Sequence, residues 1–461
     1  MNKEQILSLQ LKQKEFFNTG KTKDIAFRIE NLKKLSFIFQ ENEAKILLAL
    51  KTDLNKSHIE AYSSEIGYIL QEIKIAIKNL KKWNRKKKVK TSLINFPGKS
   101  YYVNEPYGTV LVISPWNYPF GLLFTPLVGA IAAGNCIIAK PSEISTNSSK
   151  LIYELISKNF PEEFFSVIEG GAEITQSIIN ENIDYIFFTG STVVGKEIFK
   201  SASEHLIPVT LELGGKNPCI VDKNIDIEIA AKRLLWGKFF NAGQTCVAPD
   251  YLLLNKNIQE EFLTKLVDFT NKFYGNFDEI QENFTRIISQ KHFDRIIGYL
   301  NEGKIIFGGK YVKNKLLIEP TIITDLNYHS KIMQEEVFGP VLPIISYEDI
   351  NVVIEKLNKL SKPLCVYLFT KDKELQSKIV ENTVSGTVCI NGTIHSIISH
   401  DLPFGGVGES GMGRYHGKTS FETFSFKKSI LKKKFWWDWA VMYPPYKTSL
   451  NLFKKVAKYF Y

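Results

Sequence analysis

A chain of 461 residues has room for two or three domains, and its 44% hydrophobic and 23% charged content is that of a globular protein, which excludes the disordered class. Lys and Arg number 59 against 48 Asp and Glu, a net charge of +11 that is compatible with an acidic partner. The densest basic cluster is Lys81, Lys82, Arg85, Lys86, Lys87, Lys88 and Lys90. It carries no nucleic-acid-binding motif, so it reads as a solvated or bridging segment, with no nucleic-acid partner.

Residues 1 to about 82 read as helices, with Ile25, Ile29, Leu32, Leu35, Ile38 and Phe39 at helical spacing. Pro97-Gly98 marks a turn after the Lys-rich segment. From Gly108 the pattern changes to short apolar, β-branched runs that end in polar loops. Buried strands are expected at 109–114, 135–139, 165–168 and 185–188, with helices at 126–133 and 147–158 between them. Such alternation implies a parallel sheet with helices on both faces and ligands at the carboxyl ends of its strands. After Gly214-Gly215 a second αβ series begins, with helices near 226–239 and 258–273 and strands at 366–370 and 386–391. Pro403 to Gly408 is a Gly-rich loop.

The tail combines Lys432-Lys433-Lys434 with Phe435, Trp436, Trp437 and Trp439, and ends in a basic, aromatic stretch at 452–461. Packing on the chain itself or on a second copy is expected, and peripheral membrane contact is the alternative. No uncharged apolar run approaches the roughly 20 residues of a membrane span, and the N-terminus is polar rather than signal-like.

The five cysteines, Cys136, Cys219, Cys246, Cys365 and Cys389, are odd in number and widely spaced. Neither a disulfide framework nor a zinc pattern fits them, so a reducing, cytoplasmic setting is expected. Four lie in apolar strand-like runs and read as small buried hydrophobes. Cys246 differs, because it follows Gly243-Gln244-Thr245. It is a candidate nucleophile, although a plain buried thiol fits the local sequence equally. Glu212, in a Gly-flanked strand end, would have its pKa raised by burial into the range of a general base, or would serve a structural ion pair. Asn117, in a loop after a strand, is an oxyanion donor or a turn residue. Gly190, Ser191 and Gly195 lie in a strand-to-helix turn suited to phosphate, although the spacing is not GxGxxG. Lys140 and Glu143 close another strand, where they would grip ribose hydroxyls or lie on the surface.

Taken together, the segments SPWNYP at 114–119, AKPSE at 139–143, FTGST at 188–192, LELGGKNP at 211–218, FNAGQTC at 240–246, EEVFGP at 335–340 and LPFGG at 402–406 resemble the aldehyde dehydrogenases, in order and through nearly the whole chain. GMGRYHGKTSFETFSFKKS at 411–429 and MYPPY at 442–446 are similar to the class 3 branch, which acts on medium-chain, fatty and aromatic aldehydes. The chain also lacks the longer N-terminal segment typical of many members. The resemblance implies an α/β fold: a Rossmann-like cofactor domain from 1–82 and 104–213, a catalytic domain from 214–402, and a bridging or oligomerisation segment from 83–103 and 403–461. It implies NAD or NADP as cofactor, an aldehyde as substrate, a homodimer and no metal.

By the same resemblance Cys246 is the nucleophile, Glu212 the general base and Asn117 the oxyanion amide. Lys140 and Glu143 fall near the adenosine ribose. Gly190 and Ser191 fall at the pyrophosphate turn, Gly195 follows in the helix, and Trp116, Glu336 and Phe338 fall on the cofactor side. Tyr118, Trp236 and Phe404 are expected along the substrate tunnel. The competing functions are transfer of the acyl group to coenzyme A and a non-enzymatic scaffold. The presence of Glu212 argues against the first, and that of Cys246, Glu212 and Asn117 together against the second.

Overall fold

Five strands form the parallel core of the first sheet because each is apolar on both faces. Thr109–Ile113, Cys136–Lys140 and Tyr185–Thr189 are buried at every position, and so is Phe165–Val167. Such runs are stable only between two helical layers. With Val209–Glu212 they give the spatial order Gly411–Met412, Val209–Glu212, Tyr185–Thr189, Thr109–Ile113, Cys136–Lys140, Phe165–Val167. All pairings are parallel except that of Gly411–Met412, which returns from far along the chain and sets Gly411 opposite Glu212. The computed structural model describes residues 1–458.

The four expected strands of this sheet are present, and the expected 147–158 helix runs Thr146–Asn159. The helix expected at 126–133 differs, because it begins five residues earlier, at Gly121, and contains Pro126. Proline forfeits one backbone hydrogen bond inside a helix. Here every residue of Gly121–Ala133 is buried, so packing offsets that loss. The helix start is held from outside: the Glu65 carboxylate accepts the N–H groups of Phe120 at 3.0 Å and Gly121 at 2.9 Å. Its end is closed by Gly134 in the left-handed region at φ 97°.

The second sheet has seven strands in the order Lys304–Phe307, Thr321–Thr324, Val341–Tyr347, Tyr251–Asn255, Pro218–Val221, Cys365–Phe369, Thr387–Ile390. Only the outermost, Lys304–Phe307, is antiparallel. Helices Ile227–Phe239 and Gln259–Tyr274 pack on it at the expected positions. A third, antiparallel sheet pairs Lys87–Val89 with Gly98–Pro106 and that strand with Ser425–Lys433. The basic cluster therefore runs from a helix end into this sheet rather than forming a separate groove.

Of the C-terminal tail, Phe435, Trp436, Leu450 and Leu452 are exposed. A short helix covers Leu450–Ala457, while Tyr459, Phe460 and Tyr461 lie outside the described residues. No helix among the described residues is long and apolar enough to cross a membrane.

Candidate active site

The turn that carries Cys246 is strained and heavily tied. Helix Ile227–Phe239 stops at Phe240, and the next three residues take left-handed backbone angles: Asn241 at φ 53°, Ala242 at φ 52° and Gly243 at φ 71°. Such angles cost non-glycine residues about 1–3 kcal/mol each. At Gly243 a Cβ would come within 2.3 Å of the Gly339 carbonyl oxygen, so only glycine fits. The surroundings hold the turn in place. Gln244 Nε2 donates to the carbonyls of Asn241 (3.1 Å) and Arg286 (3.0 Å), and its Oε1 accepts from Ile288 N. Asn217 Nδ2 donates to the Cys246 carbonyl at 2.7 Å and to that of Ala248 at 3.1 Å. The backbone is thus fixed on both sides of the thiol.

Asn117 is 2% exposed and anchored at two points. Its backbone carbonyl accepts from Lys56 Nζ at 2.8 Å and Asn241 Nδ2 at 3.0 Å. Its side-chain Nδ2 donates to the Gln244 carbonyl at 2.9 Å. An amide nitrogen has two hydrogens, so one remains for another acceptor. The loop after the first sheet's central strand and the thiol turn therefore share hydrogen bonds.

Glu212 ends the strand Val209–Glu212, is 3% exposed, and neither of its carboxylate oxygens has a hydrogen-bond partner among the described residues. Burial pushes its carboxyl well above the ordinary range, opposed by the charge of Arg414. The Cys246 thiol is also pushed up, first by burial and then by the charges of Glu336, Cys365 and Glu212. Cys246 and Glu212 therefore feel each other electrostatically, and a cation bound nearby would favour the thiolate.

A cavity of about 280 Å³ opens onto the thiol. Tyr118, Trp236, Phe240, Ile394 and Ile397 line it, together with Cys246. Tyr118 hydrogen-bonds Thr245 Oγ1 at 2.6 Å, which fixes its ring beside the turn. Two of the three expected tunnel residues, Tyr118 and Trp236, are on the wall. Phe404 sits one layer back, with its ring stacked at 5.2 Å on His416. His416 and Tyr68 do line the cavity and were not expected from sequence. They hydrogen-bond each other at 3.2 Å across 348 residues of chain. The motif GMGRYHG contains the histidine, but nothing local marks it as a wall residue.

The expected cofactor residues gather at the strand ends. Lys140 is buried, its amine in an ion pair with the half-exposed Glu143 carboxylate at 3.4 Å. Ser191 caps helix Thr192–Glu204, and Gly190 N donates to the Glu212 carbonyl at 3.0 Å. Gly195 lets that helix lie close, since a Cβ there would stand 2.5 Å from Leu213 Cδ2. Trp116 meets Phe338 edge-on at 5.6 Å. Glu336 Oε1 accepts from Gly215 N at 3.3 Å, and burial pushes its pKa up to about 8. Arg295 secures the same loop through the carbonyls of Glu336 (2.9 Å) and Val337 (2.8 Å).

Whether these strand ends suit a dinucleotide can be tested on their polar atoms. Ser114 Oγ, Thr189 Oγ1 and the Glu212 carboxylate, at or just past the ends of three adjacent parallel strands, are all buried without a partner among the described residues. Beside them lies a capped helix N-terminus, which favours phosphate. The donor set fits.

An open parallel sheet with unpartnered polar groups at its strand ends, joined to a partly buried thiol and a buried amide and carboxylate, has the make-up of a nucleotide-linked α/β enzyme. The comparisons with known proteins give the family. The aldehyde dehydrogenase family pattern matches residues 2–430. The chain is 47% identical to the 4,4'-diaponeurosporen-aldehyde dehydrogenase of Staphylococcus aureus, over 96% of this chain and 97% of that one. It is 45% identical to aldehyde dehydrogenase family 3 member B3 of Mus musculus, over 91% and 87%. The solved substrate-bound state of Staphylococcus aureus AldH superposes with a TM-score of 0.95 at 46% identity, covering 98% of this chain and 99% of that one. The chain belongs to the aldehyde dehydrogenase family, with class 3 proteins among its relatives, and is an oxidoreductase acting on aldehydes.

Proposed function

We propose that this enzyme oxidises medium- to long-chain aliphatic or aromatic aldehydes to carboxylic acids through a thioester on Cys246, with NAD or NADP as oxidant. The observation that carries the reading is the position of Cys246, which lines an apolar cavity on a turn tied to Asn117 and interacts electrostatically with Glu212. The Cys246 thiolate adds to the carbonyl carbon, and the Asn117 amide and the Cys246 N–H stabilise the oxyanion. When bound, the nicotinamide supplies the acceptor for the hydride that leaves the thiohemiacetal carbon. Lys140, Glu143, Gly190, Ser191, Gly195, Trp116, Glu336 and Phe338 would hold it. Glu212 takes a proton from water, the water oxygen replaces the Cys246 sulfur on the acyl carbon, and the acid departs with the thiol restored. One aldehyde and one water give one acid, one hydride to the cofactor and one proton to solvent. No step uses a metal.

Supporting the substrate class, the cavity wall includes the large apolar side chains of Trp236, Phe240, Ile394, Ile397 and Leu122. Each methylene buried is worth about 0.8 kcal/mol, so kcat/KM rises roughly fourfold per carbon along an aldehyde series until the cavity is filled. Faster oxidation of short polar aldehydes than of hexanal or benzaldehyde would refute this class. Product analysis with and without coenzyme A tests the acceptor, and an acyl-coenzyme A product would replace the hydrolytic reading.

The half-exposed Glu143 carboxylate supports NAD over NADP, because it repels a 2′-phosphate. Glu143→Gln should raise the NADP-to-NAD ratio of kcat/KM several-fold, and an unchanged ratio places Glu143 away from the ribose. The cofactor, catalytic and bridging units are taken as 1–82 with 104–213, 214–402, and 83–103 with 403–461. The nine-residue strand Ser425–Lys433 is the outer strand of its sheet, which supports a homodimer formed by continuing that sheet. The exposed aromatic tail supports docking on the second copy, with membrane contact as the alternative. Light scattering of the protein with and without residues 435–461, alongside vesicle sedimentation, distinguishes them.

A further inference from the structure

Lys56 and Glu65 form an ion pair that no solvent reaches, with both side chains 0% exposed and Nζ 2.5 Å from Oε1. A buried charge pair is seldom a net gain in stability over an apolar pair of the same volume, so its presence here calls for another reason. The geometry of the pair supplies one. The ammonium has three hydrogens and three acceptors: Glu65 Oε1, the Asn117 carbonyl at 2.8 Å, and the face of the Tyr118 ring, 4.0 Å from Nζ. The other Glu65 oxygen accepts from Phe120 N and Gly121 N. The pair therefore grips the chain at Asn117, Tyr118, Phe120 and Gly121, which is the whole loop bearing the proposed oxyanion amide.

Each partner is itself built in. Lys56 follows Asn55, whose left-handed backbone turns the chain and whose Nδ2 donates to the Phe284 carbonyl at 2.8 Å. Glu65 lies in a π-helical turn, Tyr62–Ile66, inside an otherwise α-helical run. Such a turn is uncommon and is often found at functional sites. Glu60 also acts electrostatically on Lys56 and accepts from Thr285 Oγ1. The N-terminal helices reach the thiol turn through this junction, since the Asn117 carbonyl also accepts from Asn241.

We propose that Lys56, seated by Glu65, is a positioning residue that sets the Asn117 amide against the oxyanion. The proposal rests on the assignment of Asn117 as the oxyanion donor. Lys56 is fully buried and does not line the cavity at the thiol. Its effect passes through the loop, so it should fall on transition-state binding and not on cofactor affinity.

The test is a double-mutant cycle in the full-length enzyme, read as kcat/KM for one aldehyde and as the Kd for the nicotinamide cofactor. Asn117→Ala should lower kcat/KM roughly 10²–10³-fold. Lys56→Met should lower it at least tenfold, leave cofactor Kd within twofold, and have no further effect when added to Asn117→Ala. Because Lys56→Met strands the Glu65 carboxylate, the volume-conserving pair Lys56→Met with Glu65→Gln is measured beside it. That pair should keep a cooperative melt and still lose activity in the same non-additive way. If Asn117→Ala costs the expected factor but the neutral pair retains wild-type kcat/KM, or if the losses simply multiply, Lys56 is only structural. If Asn117→Ala itself costs nothing, the oxyanion assignment fails first.

Discussion

Replacing Cys246 by alanine will abolish aldehyde oxidation while leaving cofactor binding intact. Loss of a covalent nucleophile in a hydrolase-like site costs roughly 10⁴–10⁶ in turnover. No other thiol is placed to substitute. Cys136, Cys219 and Cys365 are buried in parallel strands, and Cys389 also lies in a strand. Neither these three nor Cys389 lines the cavity onto which Cys246 opens. The Cys246 thiol is high in the free enzyme, through burial and the charges of Glu336 and Glu212. A cation bound beside the thiol, such as the oxidised nicotinamide ring, would offset that effect. Alkylation of Cys246 should therefore be faster with oxidised than with reduced cofactor bound. The checks are reduced-cofactor formation by absorbance, cofactor Kd by fluorescence quenching and a thermal melt. Ordinary steady-state turnover in the alanine protein would end the thioester mechanism.

How far such a site is legible depends on how local its determinants are. The first sheet's strands read directly because each is a short apolar run ending at a polar loop, and burial on both faces leaves no other option. Cys246 and Glu212 stand out because glycines flank them. Lys56 does not, since a lysine between Asn55 and Ser57 reads as a loop charge, and its meaning comes from Asn117, 61 residues away. Tyr68 and His416 make the same point, because their contact spans the chain. Pro126 misled for the opposite reason. Its local rule puts it at a helix start, but a fully buried helix capped by Glu65 tolerates it. The left-handed stretch at Asn241 and Ala242 also has no sequence signal beyond the following Gly243. Those angles persist because Asn117 binds the turn from outside it, accepting from Asn241 Nδ2 and donating to the Gln244 carbonyl.

Glu212→Gln separates the two halves of the cycle. Attack and hydride transfer need Cys246 and Asn117, whereas hydrolysis of the thioester needs a base for water. The glutamine enzyme should therefore release one equivalent of reduced cofactor per site in a burst and then run slower by roughly 10²–10⁴-fold. The environment of Glu212 makes the pH dependence a second signature. With no hydrogen-bond partner on either oxygen among the described residues, and with burial outweighing Arg414, its carboxyl holds the proton well above the ordinary carboxylate range. The protonated form cannot accept a proton from water. Steady-state turnover of the wild type should accordingly rise with pH through this displaced pKa and then level off, and the glutamine enzyme should lose that limb. Glu336, whose pKa is pushed up to about 8, is the competing base within electrostatic reach of the thiol. Its carboxylate is turned towards Gly215 N, and a Cβ on Gly214 would lie 2.2 Å from its Oε2, so it packs over the LELGGK turn. Glu336→Gln should then change cofactor affinity more than the burst-to-steady-state ratio. A retained burst with slow turnover in the Glu336 variant, and normal turnover in the Glu212 variant, would move the general base from the strand end to the loop.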